Sequence, residues 1–244
     1  VKDGPAERRR FVDMELSQLR PSYYYALQRY SRALKQRGAL LKEISLGNAR
    51  ADTLDMWDAQ LAESGASVMD LRREFLKTLA QTAAETHARV SGGAEVMTVE
   101  YAPSAETADA GAALAETLRE MLLHARQMDL RRLITSVGPH RDDVRVLLNG
   151  QDARAYGSQG QVRTCALSLK LSELEIMRRE SGESPVLMLD DVMSELDPGR
   201  RRLLIGMLED VQTFVTCTDP TDLAGAAIGR VFRVKNATLT EENA

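Results

Sequence analysis

Four consecutive apolar residues, Val186-Leu187-Met188-Leu189, run straight into two carboxylates, Asp190-Asp191. This run restricts the fold more than any other stretch of the chain. Without polar alternation it reads as a strand buried on both faces, the kind found in parallel sheets covered by helices. Acids at its end would emerge at the carboxyl edge of the sheet, where α/β proteins bind ligands. The plainer alternative is a strand followed by a solvated turn. Its neighbours favour the first reading. Residues 162–180 form a helical pattern with Leu167, Leu171 and Leu174 on one face, and Leu203, Leu204, Met207 and Leu208 mark another helix. Strands are expected at Phe214 to Thr216 and near Val231 to Val234. Strands alternating with helices give an α/β layer.

The preceding residues have a different texture. The first 90 read as helical, with Pro5 and Pro21 suited to first turns. Leu27, Tyr30, Leu34, Leu41 and Ile44 form one amphipathic stripe, and Leu54, Trp57, Leu61, Val68, Leu71, Phe75 and Leu79 form another. Gly47-Asn48 between them is a stop signal, so an antiparallel helical hairpin is expected, with Trp57 in the core. Ser91-Gly92-Gly93 ends the helical region. Val96 to Tyr101 alternates as a strand, residues 107–128 return to helix, and Val144 to Leu148 ends at a hairpin-type Asn149-Gly150. The domain reading is therefore a helical arm over residues 1–92 and an α/β lobe over residues 93–244.

Charge is uneven along the chain. The formal net charge is −4, which by itself argues against a basic nucleic-acid coat protein. Yet residues 1–50 carry a net +6 and residues 51–130 a net −8. Only 6 of the 32 basic residues are Lys, a preference that can mean phosphate recognition, with a GC-rich coding bias as the plainer reading. Arg8-Arg9-Arg10 could reach phosphates or form a solvated helix face. Arg200-Arg201-Arg202 begins a helix, where the dipole disfavours cations and an electrostatic partner is needed. Tyr23-Tyr24-Tyr25 could stack on bases, though packing is the plainer role. Cys165 and Cys217 form neither a disulfide framework nor a metal cluster, and His87, His124 and His140 lack metal-ligand spacing. No stretch reaches 18 apolar residues and no leader is evident, so a cytoplasmic protein with no membrane partner is expected.

Three further motifs accompany the Asp190-Asp191 strand. Tyr156-Gly157-Ser158-Gln159-Gly160-Gln161 opens a helix, where small residues, the dipole and a hydroxyl suit an anion or simply cap the helix. Ser194-Glu195-Leu196-Asp197-Pro198 follows the acids, and Thr216-Cys217-Thr218-Asp219 ends the next strand. In this order the four resemble the downstream half of an ABC-type ATPase: signature motif, Walker B, D-loop and switch. Gly138-Pro139-His140-Arg141-Asp142-Asp143, the Tyr156–Thr164 and Leu187–Asp197 stretches, and Gly4-Pro5-Ala6-Glu7-Arg8-Arg9-Arg10-Phe11 narrow the resemblance to the RecF family. That family belongs with the SMC-like ABC ATPases of DNA repair. The resemblance covers most of the chain and is weakest over residues 50–95.

The resemblance implies an ABC-type P-loop NTPase half, the signature and Walker B lobe, with an inserted α-helical arm. Ser158, Gln159, Gly160 and Gln161 would contact the γ-phosphate of ATP held by a second subunit. Asp190 would be the Mg²⁺ acid, Asp191 the catalytic base, Asp197 the D-loop acid, and Thr218 the switch position. Arg8, Arg9, Arg10, His140 and Arg141 become candidate DNA or nucleotide contacts, with a structural turn as the alternative for the last two. Most ABC ATPases have Glu at the Asp191 position and His at the switch. Both departures fit a slow ATPase acting as a clamp or timer. The implied partners are DNA at single-strand/double-strand junctions or gaps, a second copy of the chain, and the mediators RecO and RecR. The implied role is recombinational repair, loading recombinase at gaps and stalled forks. No G-x-x-x-x-G-K-[ST] loop is present, and the family carries it upstream of everything here. With Val1 in first position, the expectation is the C-terminal two-thirds of a longer protein, inactive by itself. The competing expectation is a non-catalytic helical interaction module with a vestigial half-site.

Overall fold

The computed structural model describes residue 1, residues 3–208 and residues 211–242. The chain opens with α1 (Pro5–Leu19) and α2 (Pro21–Ser45), each with proline in the first turn, where its missing N–H costs nothing. After a short connection comes α3 (Leu54–Val90), 37 residues long. Arg37 of α2 bonds Asp58 of α3, Tyr30 lies against Gly65, and Tyr23 bonds Arg72. Falling numbers on α2 meet rising numbers on α3, so the two helices form the expected antiparallel hairpin.

Strand β1 (Met97–Ala102) follows, then α4 (Gly111–Arg132), β2 (Asp143–Leu148) and β3 (Gln151–Asp152). These strands form one antiparallel sheet in the order β1-β2-β3. Asn149 and Gly150 both take positive φ between β2 and β3, as a two-residue hairpin loop requires. One core runs through this whole region, joining Val12, Leu16, Tyr23, Phe75 and Leu79 to Met97, Val146, Leu148 and Ile176. Residues on both sides of position 92 therefore share it.

The remainder is α5 (Ala153–Tyr156), α6 (Gln159–Ser181), β4 (Leu187–Asp190), α7 (Pro198–Met207), β5 (Thr213–Thr216), β6 (Val231–Lys235) and β7 (Thr238–Glu242). Strands β4 and β5 pair in parallel, with Asp190 opposite Thr216. A second core gathers Val90, Leu167, Leu171, Leu189, Met193, Leu196 and Leu204. It ties the end of α3 to α6, β4 and α7. The architecture is α/β and mostly helical.

Four local expectations change. The apolar run of β4 is not buried on both faces: Leu189 is 6% exposed, but Met188 is 78% and Val186 54% exposed. Helices α6 and α7 cover one face of β4, and among the described residues nothing covers the other. Trp57 is only partly buried against the first core. Tyr23 is buried while Tyr24 and Tyr25 are exposed, so the tyrosine triplet divides between packing and surface. The strand near residue 231 has a partner that the sequence did not suggest. Asn236 and Ala237, both at positive φ, turn β6 into β7, and Ala lacks the glycine signal of such turns. No helix among the described residues is long and apolar enough to cross a membrane.

Candidate functional site

The carboxyl edge of the β4–β5 pair carries the acids. Parallel register sets Asp190 beside Thr216, whose Oγ1 donates to Asp190 Oδ1 at 2.6 Å. The same oxygen accepts the Asp191 N–H at 3.0 Å, and the Thr216 carbonyl lies 3.3 Å from that nitrogen. Asp191 sits at φ 51°, a left-handed conformation that costs a non-glycine residue on the order of 1 kcal/mol. Thr216 holds it there, and Ser194 Oγ donates to the Asp191 carbonyl at 2.9 Å. Strained backbone at the end of a sheet is a mark of sites that aim a side chain. Both carboxylates are exposed.

Mg²⁺ takes few protein ligands, usually one or two carboxylates beside phosphate and water oxygens. An exposed Asp190 carboxylate with one oxygen fixed by Thr216 fits that donor chemistry. No cluster of three or more His, Cys, Asp or Glu suited to a metal occurs among the described residues.

Ser158 caps α6. Its Oγ accepts the Gln161 N–H at 3.2 Å, and Gln161 Oε1 accepts the Ser158 N–H at 2.8 Å, a reciprocal capping box. Cap and anion-binding roles are compatible here, because the serine hydroxyl hydrogen remains available to an acceptor. Ser158, Gln159 and Gly160 are exposed at the positive end of a 23-residue helix. Gly157 must be glycine: an added Cβ would lie 2.5 Å from the Ala153 carbonyl oxygen.

Asp197 caps α7, its Oδ1 accepting the N–H groups of Gly199 and Arg200, both at 3.0 Å. The Arg200 N–H, with help from Gly199, holds this carboxyl below its usual range. Arg200, a cation at a helix start, finds its electrostatic partners in Asp197 at 3.5 Å and Glu95 at 3.6 Å.

The remaining candidates fall elsewhere. Thr218 lies in an exposed bend after β5, whereas Thr216 makes the bonds to the acids. Register is the signal that would have singled out Thr216. Arg8 pairs with Asp143 at 2.8 Å, and Arg9 donates to the Asp142 carbonyl at 2.6 Å. Arg10 is exposed, 3.6 Å from Glu7. His140 uses both ring nitrogens internally, with Tyr30 Oη at 2.6 Å and the Thr135 carbonyl at 2.9 Å. Burial, first of all, lowers its pKa to about 4. Arg141 donates twice to that Thr135 carbonyl. The arrangement around His140 and Arg141 is that of a built turn, and it leaves neither ring nitrogen for a ligand.

No family model matches the chain. Whole-protein relatives do. The DNA replication and repair protein RecF of Acetivibrio thermocellus is 46% identical over 221 residues, 90% of this chain and 60% of that protein. The protein of the same name from Halothermothrix orenii is 45% identical over 248 residues, 98% of this chain and 66% of that protein. The solved structure of the recombination mediator protein RecF-ATPrS in the RecFOR pathway matches with TM-score 0.88 at 37% identity. It covers 99% of this chain and 64% of that one. A Smc head domain derived from Pyrococcus furiosus matches at TM-score 0.53 and 13% identity, which shows a shared fold alone. The chain spans about 60% of the length of the curated relatives it matches. Sequence and structure agree on one assignment: the chain belongs to the RecF family of DNA replication and repair proteins, built on the ABC-type ATPase fold.

Proposed function

We propose that the full-length protein is an ATP-dependent, DNA-binding recombination and repair protein. It dimerises on ATP, hydrolyses it slowly, and helps to load recombinase at single-stranded gaps and stalled forks. The solved relatives described as RecF-ATP and RecF-ATPrS support nucleotide binding, and the RecFOR pathway named with them supports RecO and RecR as partners.

Within this reading the α6 terminus serves a nucleotide held by the second subunit. Ser158 donates its hydroxyl hydrogen to the γ-phosphate, and the Gln159 and Gly160 N–H groups add the helix dipole. Gln161 keeps Ser158 in place. Asp190 would hold Mg²⁺, which would supply charge neutralisation for the phosphates. Asp191, fixed by Thr216, takes the proton of the attacking water. Aspartate reaches less far than glutamate, which suits a slow clamp. Asp197 faces the partner subunit, and Thr218 remains the proposed switch position. Arg10 offers DNA an exposed cation, while Arg8 and Arg9 brace it through the Asp142-Asp143 turn. The proposed division is an arm over residues 1–92 on a lobe over residues 93–244, with the shared core transmitting movement between them.

The observation that carries this reading is the β4 edge, where Thr216 fixes Asp190 and holds Asp191 in a left-handed conformation. The test uses full-length protein. Ser158→Arg should abolish ATP-dependent dimerisation, measured by sedimentation, and Asp191→Asn should lower turnover by 100-fold or more, the size of general-base contributions. Equal dimerisation of wild type with and without ATP would overturn the reading in favour of an interaction module.

A further inference from the structure

Two loops that the proposed function turns toward the second subunit, one to its nucleotide and one to its surface, are wired to one partly buried carboxylate. Glu95 lies just after α3, with its side chain 11% exposed. Its Oε1 accepts from Gln161 Nε2 at 3.1 Å. Gln161, through its other amide atom, holds the Ser158 N–H. The same Oε1 lies 3.6 Å from Arg200 Nη2. Arg200 Nε in turn lies 3.5 Å from Asp197 Oδ2. Arg200 also leans over the Ser158 loop, since a Cβ on Gly160 would sit 3.6 Å from its Nη1. On the inner side, Glu95 Oε2 is 3.3 Å from Nε2 of the fully buried His87, whose Nδ1 is 3.0 Å from Ser168 Oγ.

We propose that Glu95 is a positioning residue that couples the Ser158 loop to the Asp197 turn. The inference rests on the reading of Ser158 as a nucleotide contact in trans. A carboxylate shared by an amide and a guanidinium places its two partners relative to one another, through a directional, charge-assisted hydrogen bond to Gln161 and an ion pair at 3.6 Å to Arg200. Anchoring from α3 through His87 keeps the hub from moving with either loop. Engagement of nucleotide at Ser158 and of the partner subunit at Asp197 then reach the same geometry together. Arg200 gains a reason to stand at a helix start: it reads the state of the neighbouring loop.

The experiment uses full-length protein carrying Glu95→Gln, Arg200→Met, both together, or Ser158→Arg. Glu95→Gln keeps the shape and one acceptor but removes the charge. It should leave ATP binding to the monomer and the thermal midpoint unchanged. It should weaken ATP-dependent dimerisation about tenfold, the effect of losing one charge-assisted bond. Arg200→Met, made from the partly exposed end, should weaken it similarly, and the double variant should be no worse than either single one. A dimer as tight as wild type in Glu95→Gln or Arg200→Met would overturn the coupling while leaving the nucleotide reading intact, provided Ser158→Arg still abolishes dimerisation. Multiplying effects in the double variant would overturn it as well. If Ser158→Arg dimerises normally, the underlying reading fails and the coupling with it. If Glu95→Gln does not fold, the Arg200→Met arm decides alone.

Discussion

Single residues in this chain are held in states far from their solution behaviour. Glu15 is buried on α1, with Lys170 Nζ 3.4 Å away and one carboxyl oxygen without a hydrogen-bond partner. Burial first, and Glu173 next, push its pKa up to about 8. The fold therefore binds this proton more tightly than the unfolded chain does. Its contribution to stability is complete below pH 4.5 and is lost as pH climbs toward 8. Glu15→Gln keeps the neutral shape at every pH. Thermal melts of wild type and variant should coincide near pH 4 and separate above pH 6. By pH 9 the variant should be the more stable by several degrees. Parallel curves across that range would show that Glu15 is already ionised in the fold. His140 has the opposite sign. Its lowered pKa means that the turn it braces is favoured when the ring is neutral, and weakens as pH falls below 6.5.

At the scale of elements, three helices meet on one guanidinium. Arg37 of α2 bonds Asp58 of α3 at 2.6 Å and Asp129 of α4 at 2.7 Å, and all three side chains are 0–3% exposed. Arg126 adds a second cation to Asp58 at 2.8 Å, and Ser136 adds two bonds to Asp129. Removing one member leaves buried charges uncompensated, which costs far more than the intact cluster contributes. Arg37→Met should lower unfolding free energy by roughly 3–5 kcal/mol in urea titrations. Arg37→Met combined with Asp129→Asn should recover part of it, since one stranded charge goes with it. A loss below about 1 kcal/mol for Arg37→Met would mean that water reaches the cluster. Nothing in the amino-acid pattern announces this cluster. The hairpin itself was legible, because apolar residues at three- and four-residue spacing define a helix face whatever it packs against. So was the Ser158 cap, whose Ser-x-x-Gln spacing is local. Which cation meets which carboxylate depends on helix pairing, and that Thr216 is the threonine bonded to Asp190 and Asp191 depends on strand register. Arg200 was legible only as an anomaly, a cation at a helix start, until Glu95 supplied its partner from 105 positions earlier in the chain.

On the scale of the whole molecule, the two cores are finished to different degrees. The first is enclosed by α1 to α4, α6 and the β1-β2-β3 sheet. The second supports one face of a two-stranded sheet, and among the described residues nothing covers the other. Met188 and Phe214 are register partners on that open face, 78% and 55% exposed, with Val186 at 54% beside them. An uninterrupted apolar strand normally implies cover on both sides. Double burial of residues 186–189 needs a neighbour on each face, and among the described residues helices α6 and α7 cover only one. Contiguous exposed apolar surface of this kind drives association. The 244-residue chain should therefore bind a hydrophobic dye and self-associate as its concentration rises. Replacing Met188 and Phe214 together by Thr preserves strand propensity while removing the apolar surface. Light scattering and dye fluorescence should both fall in that variant. The thermal midpoint should hold, because the replaced side chains are more than half exposed and support neither core. A lower midpoint would show that the face is already packed. Unchanged scattering would shift the adhesive surface to another exposed apolar pair, Val234 and Leu239 of the β6–β7 hairpin.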